Sequence, residues 1–226
     1  MLHVLRVFCA ADGSGGNPLG VFLDGAAVPE AERQAIAHEL GFAETVFVDD
    51  PARGELRIFT PRIELALAGH PLVGTAWLLR ETAQPVKTLR PPAGEVAVRF
   101  AGELTFVAGR AEWAPHFDFV EVGSPAEVEA LAEAPDGYAD VGVWAWLDRD
   151  AGTIRERVFA PEEGITEDEA TGAAAMRLVT RLGRELEIRQ GRGSTIYARP
   201  LGDGVAEIGG RVMLDEVRDY PTGAAS

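Results

Sequence analysis

The pentapeptide Arg57-Ile58-Phe59-Thr60-Pro61 decides the interpretation of the fold, because a close copy of it returns as Arg157-Val158-Phe159-Ala160-Pro161. A helix is predicted ahead of each copy, over residues 29–40 before the first and residues 125–134 before the second. The first helix has a proline at its start and Gly41 as its stop signal, and the second opens with a capping box. A repeat that carries the same element in front of it indicates a duplicated unit.

A loop of small residues and a second helix follow each copy. The loops are Ala68-Gly69-His70-Pro71 and Glu169-Ala170-Thr171-Gly172, and the elements keep their order at an offset of about 95–100 residues. The second helix is predicted to begin at Pro71 in the first half and to span residues 171–182 in the second. We therefore predict an α+β protein of two pseudo-symmetric domains, each a curved, barrel-like and mostly antiparallel sheet around a central helix.

The boundary between the two predicted domains is placed near Trp113-Ala114-Pro115. The domains are then residues 1–113 and residues 114–226, with a C-terminal strand that can cross back to the first half. The 26 glycines and 14 prolines predict many turns and hence many short strands. The last of these short strands are predicted separately, at residues 205–208 and 211–214.

The composition restricts the class of partner. The 226 residues carry a formal net charge of −15, which opposes binding to nucleic acid or to an anionic membrane. No apolar run approaches the ~18 residues of a membrane span, and the N-terminus lacks the pattern of a signal peptide. The single cysteine, Cys9, cannot form a disulfide within the chain and suits a reducing compartment. We expect a cytoplasmic protein whose partner is a small molecule.

Motifs for metals and common cofactors do not match. The four histidines are scattered and none pairs with a second histidine at the spacing of a zinc helix. The segment Gly13-Ser14-Gly15-Gly16-Asn17-Pro18 has Pro18 where a dinucleotide fingerprint needs its last glycine, and a strand follows it rather than a helix. We therefore expect neither a metal nor a cofactor.

The starts of the two central helices are candidate ligand sites. The first N–H groups of a helix lack intrahelical acceptors and carry partial positive charge. Two such ends facing a cleft between the halves would bind a small carboxylate and stabilise enolate-like charge on it. The candidate binding residues are Gly69 in the first half and Thr171, Gly172 and Ala173 in the second.

Glu44 is the candidate acid/base. It lies in an otherwise apolar stretch between Phe42 and the run Val46-Phe47-Val48. Burial disfavours the charged carboxylate, so we expect the pKa of Glu44 to rise. A carboxyl group in that condition both accepts and donates protons near neutral pH.

Several segments together resemble the PhzF-like branch of the diaminopimelate epimerase fold. They are Gly16-Asn17-Pro18, residues 41–48, residues 57–61, residues 64–76 and residues 167–174. The most specific part is the combination of Ala-Gly-His-Pro at residues 68–71 with Glu-Asp-x-x-Thr-Gly at residues 167–172, one motif in each half.

The resemblance implies a fold, an activity and a set of site residues. Family members have two pseudo-symmetric domains, form homodimers, and include an enzyme that isomerises a dihydro-hydroxyanthranilate without a cofactor. The family's essential glutamate corresponds to Glu44, while His70 and Asp168 occupy motif positions that assist binding and proton movement. An asparagine that contacts substrate in the wider fold corresponds to Asn17. The chain is thus expected to be a cofactor-free isomerase that moves a proton on a small carboxylate-bearing substrate.

Departures from the family pattern keep two alternatives open. Ala43, Glu169 and Ala173 stand where the family usually has Ser, Pro and Ser, which leaves open a binding protein that has lost turnover. An epimerase with carboxylate and imidazole as its acid and base is the second alternative. The two-cysteine racemases of this fold are excluded, because neither loop motif carries a cysteine and Cys9 lies on the first strand.

Overall fold

The computed structural model describes residues 1–161 and 165–221 of the chain. Over these residues the fold is dominated by β-structure. The strands are β1 Leu2–Cys9, β2 Asn17–Phe22, β3 Glu44–Asp50, β4 Glu55–Phe59, β5 Glu64–Leu65, β6 Thr88–Leu89, β7 Val96–Ala101, β8 Leu104–Arg110, β9 Asp118–Glu121, β10 Val141–Asp148, β11 Thr153–Ala160, β12 Ile165–Asp168, β13 Leu186–Gln190, β14 Ser194–Gly202 and β15 Val205–Arg218. The helices are α1 Glu30–Leu40, α2 Gly69–Glu81, α3 Pro125–Glu129 and α4 Gly172–Leu182. The α+β fold class is confirmed.

Local sequence signals set the helix ends. Gly41 and Gly183 adopt the left-handed conformation, each with φ of 65°, and their N–H groups close α1 and α4. Ser124 caps α3 by accepting a hydrogen bond from the N–H of Glu127. The central helix α2 begins at Gly69, two residues earlier than predicted, so that Pro71 lies within its first turn.

Helix α3 is shorter than predicted and ends at Glu129 instead of near residue 134. The carbonyl group of Leu131 accepts a hydrogen bond of 2.6 Å from Nη1 of Arg157, and that of Val128 a longer one of 3.4 Å. The carbonyl of Leu131 is thus satisfied by a distant guanidinium rather than by a further helical turn, a contact that local sequence does not reveal. The carbonyl of Val128 also accepts the N–H of Leu131 at 3.4 Å.

The chain forms two compact units. Unit 1 comprises residues 1–7, 18–107 and 212–226, and unit 2 comprises residues 8–17 and 108–211. The predicted boundary near residues 113 and 114 and the pseudo-symmetry remain predictions.

Unit 1 contains the strand order β5-β4-β3-β2-β1. Strands β2 and β3 pair in parallel, with Leu19 opposite Glu44, whereas β3 and β4 pair antiparallel. Helix α2 is buried over nearly its whole length. Helix α1 packs through Ile36 and Ala37 into a separate cluster with Phe22, Phe47 and Phe59. Residues on the two faces of these strands therefore pack against two different helices.

Unit 2 contains the strand order β14-β13-β11-β10-β9, and β12 pairs with the same edge of β11 as β13, further along that strand. Strands β9 and β10 are parallel, as are β11 and β13, and the remaining pairs are antiparallel. Val141, Val143 and Phe159 pack with Leu131 on one face. The buried side of α4 is formed by small and apolar residues: Gly172, Ala173, Ala174, Ala175, Met176, Leu178 and Val179.

Both copies of the pentapeptide use their arginine in the same way. Nη2 of Arg57 lies 2.6 Å from Oε2 of Glu64, and Nη2 of Arg157 lies 2.6 Å from Oε2 of Glu167. Each guanidinium makes a second bond to the same carboxylate through its Nε. Such two-point pairing holds the strand of each pentapeptide to the next strand with defined geometry.

The two last predicted strands form a single strand, β15, so the prediction of a break at residues 209–210 is wrong. Gly210 lies against Phe8, and a Cβ there would come within 3.2 Å of the Cα of Phe8. Phe8 itself has φ of 70°, which is rare for an aromatic residue. The glycine makes room for a close backbone approach and does not end the strand.

No helix among the described residues has the length and apolar character needed to cross a membrane.

The position of α2 depends on Gly74. A Cβ at this residue would lie 2.5 Å from Cδ2 of Leu19 and 2.8 Å from Cγ2 of Val7, and both side chains are fully buried. The helix therefore packs directly on β1 and β2, and this contact sets where its first turn begins.

We expect Gly74→Ala to destabilise the protein by about 1–3 kcal/mol through overpacking, although alanine is the better helix former. Chemical denaturation measures the change. As a control, Ala35→Gly at an exposed position of α1 measures the difference in helix propensity between alanine and glycine, about 1 kcal/mol. An increase in stability for Gly74→Ala would contradict the packing argument.

Candidate active site

Unit 1 brings Glu44 and His70 together. Glu44 is the first residue of β3 and His70 is the second residue of α2. Oε2 of Glu44 and Nε2 of His70 are 3.1 Å apart, and the side chains are only 14% and 4% exposed. The two atoms are within hydrogen-bonding distance, but their present angles do not make a hydrogen bond.

The His70 ring is also anchored on its other side. It forms a hydrogen bond with the backbone of Pro18. Proline has no N–H, so the imidazole must donate to the proline carbonyl. Because Nε2 faces Glu44, the donating nitrogen is Nδ1, which fixes the tautomer of the neutral ring.

Burial lowers the pKa of His70 to about 3, against the smaller opposing effect of the Pro18 bond. The ring is therefore neutral at physiological pH, and its Nε2 presents a lone pair to Glu44. An ionised carboxylate would place a second acceptor against that lone pair. One proton on Glu44 satisfies both atoms, so this pair can store and release a single proton.

Gly69 and His70 open the first turn of α2. Their N–H groups have no acceptors within the helix, and the third residue, Pro71, has no N–H at all. The main-chain donors at this helix start are thus concentrated beside the His70 side chain.

Unit 2 brings Asn17, Asp168 and Thr171 together. Nδ2 of Asn17 donates to Oδ1 of Asp168 at 2.7 Å, and Oγ1 of Thr171 donates to Oδ2 at 2.6 Å. Burial raises the pKa of Asp168, and these two hydrogen bonds partly offset that effect. Asn17 also donates to the carbonyl of Ala170 at 3.1 Å, so one amide holds both sides of the turn before α4.

Gln190 completes this network and was missed as a site candidate by the sequence analysis. Its side chain is 1% exposed. Oε1 accepts from the N–H of Thr171 at 3.0 Å, while Nε2 donates to Oγ1 of Thr171 at 2.8 Å and to the carbonyl of Asp168 at 2.9 Å. Two signals were available: Gln190 is a polar residue on a strand directly before Gly191, and the segment Arg189-Gln190-Gly191 also resembles the family.

The expectation that Thr171 offers its N–H to a ligand is therefore corrected. That N–H is taken by Gln190, and Thr171 instead serves as the N-cap residue of α4. Gly172 and Ala173 are the first residues of the helix, and their N–H groups have no acceptors within it.

Glu169 has a structural explanation. Its carboxylate accepts two bonds of 2.9 Å from the N–H of Arg192 and one of 2.9 Å from Oγ of Ser194. A Cβ on Gly191 would lie 2.4 Å from Oε2 of Glu169. Glu169, which departs from the family pattern, therefore anchors the loop at residues 191–194.

Glu156 is a further buried carboxyl group that the sequence analysis did not select. The residue is 0% exposed, and neither carboxyl oxygen has a hydrogen-bond partner among the described residues. Burial raises the pKa of Glu156 to about 8, although the charge of Arg155 opposes this shift. The side chain is therefore neutral at physiological pH.

In the part of the chain that the structure describes, no three histidine, cysteine, aspartate or glutamate side chains are grouped closely enough to hold a metal ion.

Comparisons with known proteins give a consistent assignment. A family model described as phenazine biosynthesis-like protein matches residues 6–140. A trans-2,3-dihydro-3-hydroxyanthranilate isomerase from Pseudomonas chlororaphis is 32% identical over 240 residues, covering 83% of this chain and 86% of that protein. This chain belongs to the phenazine biosynthesis-like family. A second isomerase of the same name, from Pseudomonas aeruginosa, is 31% identical over 84% of this chain and 86% of its own length.

Solved structures agree with this phenazine biosynthesis-like fold. A phenazine biosynthesis protein from Clostridium difficile has a TM-score of 0.80 at 22% identity and covers 97% of this chain and 98% of its own. A predicted epimerase from Pseudomonas aeruginosa has a TM-score of 0.75 at 26% identity, covering 98% and 99%. A hydroxyproline epimerase from Agrobacterium vitis, at 14% identity and a TM-score of 0.61 over 95% and 90%, shares the fold. The chain is thus an isomerase of this family with an epimerase-like fold.

The fixed tautomer of His70 is directly testable. Between pH 5 and pH 8 we expect the His70 ring to remain neutral, with its proton on Nδ1, because its pKa is about 3. Nitrogen-detected NMR of the imidazole groups measures this, with His70→Asn as the assignment control. A His70 resonance that titrates near the ordinary value of 6.5 would contradict the buried arrangement.

The role of the Thr171 hydroxyl is tested by Thr171→Val. We expect the free energy of unfolding to fall by about 1–3 kcal/mol, because Asp168 and Gln190 each lose a partner in a buried network. Thr180→Val on the same helix is the matched control, since the Thr180 hydroxyl bonds only to the carbonyl of Met176 at an exposed position. Thermal and chemical unfolding measure both variants. If Thr171→Val and Thr180→Val lowered the stability equally, the network would be contradicted.

Proposed function

We propose that this protein is a cofactor-independent isomerase that moves a proton on a small substrate bearing a carboxylate. Glu44 is the acid/base, His70 is its buried partner, and Asp168 binds or orients polar groups of the substrate. Gly69, Gly172 and Ala173 supply main-chain donors for the carboxylate, and Asn17 and Thr171 hold Asp168 in place. The resemblance to the family adds a homodimer and a cytoplasmic location as expectations of this proposal.

One observation carries the proposal. The carboxyl group of Glu44 and the neutral ring of His70 meet at 3.1 Å in an environment that excludes most water. Since the Pro18 bond holds the other ring nitrogen as a donor, the pair keeps one exchangeable proton between an oxygen and a nitrogen. A catalyst that must take up a proton and return it elsewhere requires such a group.

The proposed reaction balances without a redox step. Glu44 in its ionised form removes a proton from a carbon near the substrate carboxylate, and the electron pair of the broken C–H bond enters the adjacent conjugated system. The newly protonated Glu44 is then the acid that faces the lone pair on Nε2 of His70. Main-chain N–H groups stabilise the negative charge that develops on the carboxylate. Glu44 then returns the proton to a different carbon of the same system, and a double bond shifts position.

The similarity to enzymes named trans-2,3-dihydro-3-hydroxyanthranilate isomerase supports a cyclic, unsaturated carboxylate as the substrate class. The neighbours described as epimerases support a second outcome, in which the proton returns to the same carbon from the opposite face. The position of the label distinguishes the two: a new carbon acquires deuterium in an isomerase, and the original carbon does so with inverted configuration in an epimerase.

The test uses trans-2,3-dihydro-3-hydroxyanthranilate in heavy water. We expect wild-type protein to incorporate deuterium and Glu44→Gln to lose at least a hundredfold in rate, within the usual range for removing a general acid/base. Glu81→Gln on the exposed side of α2 is the control, because it removes the same charge from a surface pair with Arg80.

Equal deuterium incorporation by wild type and Glu44→Gln would refute the role of Glu44. Saturable binding of the substrate with no exchange by wild type would support a binding protein instead of an enzyme acting on this compound.

A further inference from the structure

The Glu156 carboxyl group is an anomaly in the core of unit 2. Buried polar atoms nearly always have a hydrogen-bond partner, and those that lack one require an explanation. Both oxygens of Glu156 lack a partner in the described structure. The group also occupies space left by a glycine, since a Cβ on Gly142 would lie 2.7 Å from Oε1 of Glu156.

The strand register places Glu156 beside the Asp168 cluster. On the same edge of β11, Gln190 of β13 is paired with Glu156, and Asp168 of β12 is paired with Val158. Residues two apart on a strand project from the same face. Glu156, Gln190 and Asp168 are therefore on one face of the sheet, and diagonal neighbours on such a face are typically within about 8 Å.

Most of the other elements against this face contribute no competing charge. The paired residue on β10 is Trp144, and its neighbour on that face is Gly142. Phe119 of β9 lies close to Gly142. The buried residues of α4 are all uncharged. Arg155 projects from the opposite face, where it bonds to Glu129.

Two acidic residues lie near this face among the described residues. Asp168 is paired with Val158, and Glu169 is bonded to Ser194 opposite Gln190, from where its charge raises the pKa of Asp168.

The carboxyl groups of Asp168 and Glu156 differ in their hydrogen bonds. Asp168 accepts from Asn17 and Thr171, and both bonds stabilise its ionised form. Glu156 has no such donors. A buried carboxyl group without donors retains its proton, because burial disfavours the charged form. The pKa of about 8 that burial gives to Glu156 agrees with this assignment.

We propose that Glu156 is a positioning residue of the candidate active site: as a neutral acid beside Gln190, it adds no further negative charge to the Asp168 and Glu169 carboxyl groups before the first turn of α4. This inference rests on the proposed function for its catalytic consequence. Ionisation of Glu156 places a further negative charge against the Asp168 cluster, which strains the bonds of Gln190 and weakens substrate binding at alkaline pH.

The first experiment measures unfolding in the full chain from pH 5 to pH 8. A carboxyl group with a raised pKa in the folded state stabilises the protein most at low pH, and this contribution is lost as pH rises towards the folded value. We expect the ratio of unfolding constants, wild type over Glu156→Gln, to rise by up to tenfold per pH unit. Glu156→Leu should give the same trend. Leucine is a suitable replacement because Leu56 occupies the corresponding position before Arg57 in the first copy of the pentapeptide.

The second experiment measures the pH profile of exchange on trans-2,3-dihydro-3-hydroxyanthranilate. We expect KM of the wild type to rise severalfold above about pH 8 and KM of Glu156→Gln to remain level, with kcat little changed in both. Glu185→Gln, at an exposed position of unit 2, should follow the wild type.

The outcomes separate this inference from the proposed function. A ratio of unfolding constants that does not change with pH would show that Glu156 is not a neutral buried acid. A pH-dependent ratio together with parallel KM profiles would restrict Glu156 to the core and refute its positioning role. Absence of exchange by the wild type would refute the proposed function with this substrate. The positioning role would then be decided by the chemical shift of the Asp168 carboxyl group above pH 8, which should differ between wild type and Glu156→Gln; equal shifts would refute that role.

Discussion

The hydrogen bond between the His70 ring and the Pro18 carbonyl is the contact on which the candidate chemistry depends. It decides which ring nitrogen faces Glu44, and burial keeps that nitrogen unprotonated. The same helix packs closely on β1 and β2 at Gly74, where no side chain intervenes. The neutral ring at the start of α2 therefore presents a lone pair to the Glu44 carboxyl group at the start of β3.

In unit 2, the residues at the start of α4 are held by side-chain hydrogen bonds. Gln190 takes the N–H of the cap residue and holds the Thr171 hydroxyl against Asp168. Asp168 is thereby held by several polar contacts, whereas the His70 ring is held by burial and by its hydrogen bond to the Pro18 carbonyl. Glu169, a departure from the family pattern, stabilises the loop after β13, so this change does not by itself argue for lost activity.

Much of the fold could be predicted because its signals are local. Glycines in the left-handed conformation end α1 and α4, a serine caps α3, and the repeated arginine forms the same two-point carboxylate pair in both units. The errors arose where a distant group overrode the local pattern. Arg157 takes the carbonyl that would extend α3, and Phe8 lies against the glycine that was interpreted as a strand break.

The sequence by itself determined the repeat and the family, and the family's motifs made Glu44, His70, Asp168 and Asn17 the candidate site residues. Only the tertiary structure decided which of their atoms meet, that the N–H of Thr171 is already used, that Gln190 bonds to the carbonyl of Asp168, and that Glu156 is paired with Gln190. The physical reason is that burial and strand register are properties of neighbours in space. A polar residue on a strand has the same local pattern whether its partner is water, an amide or nothing.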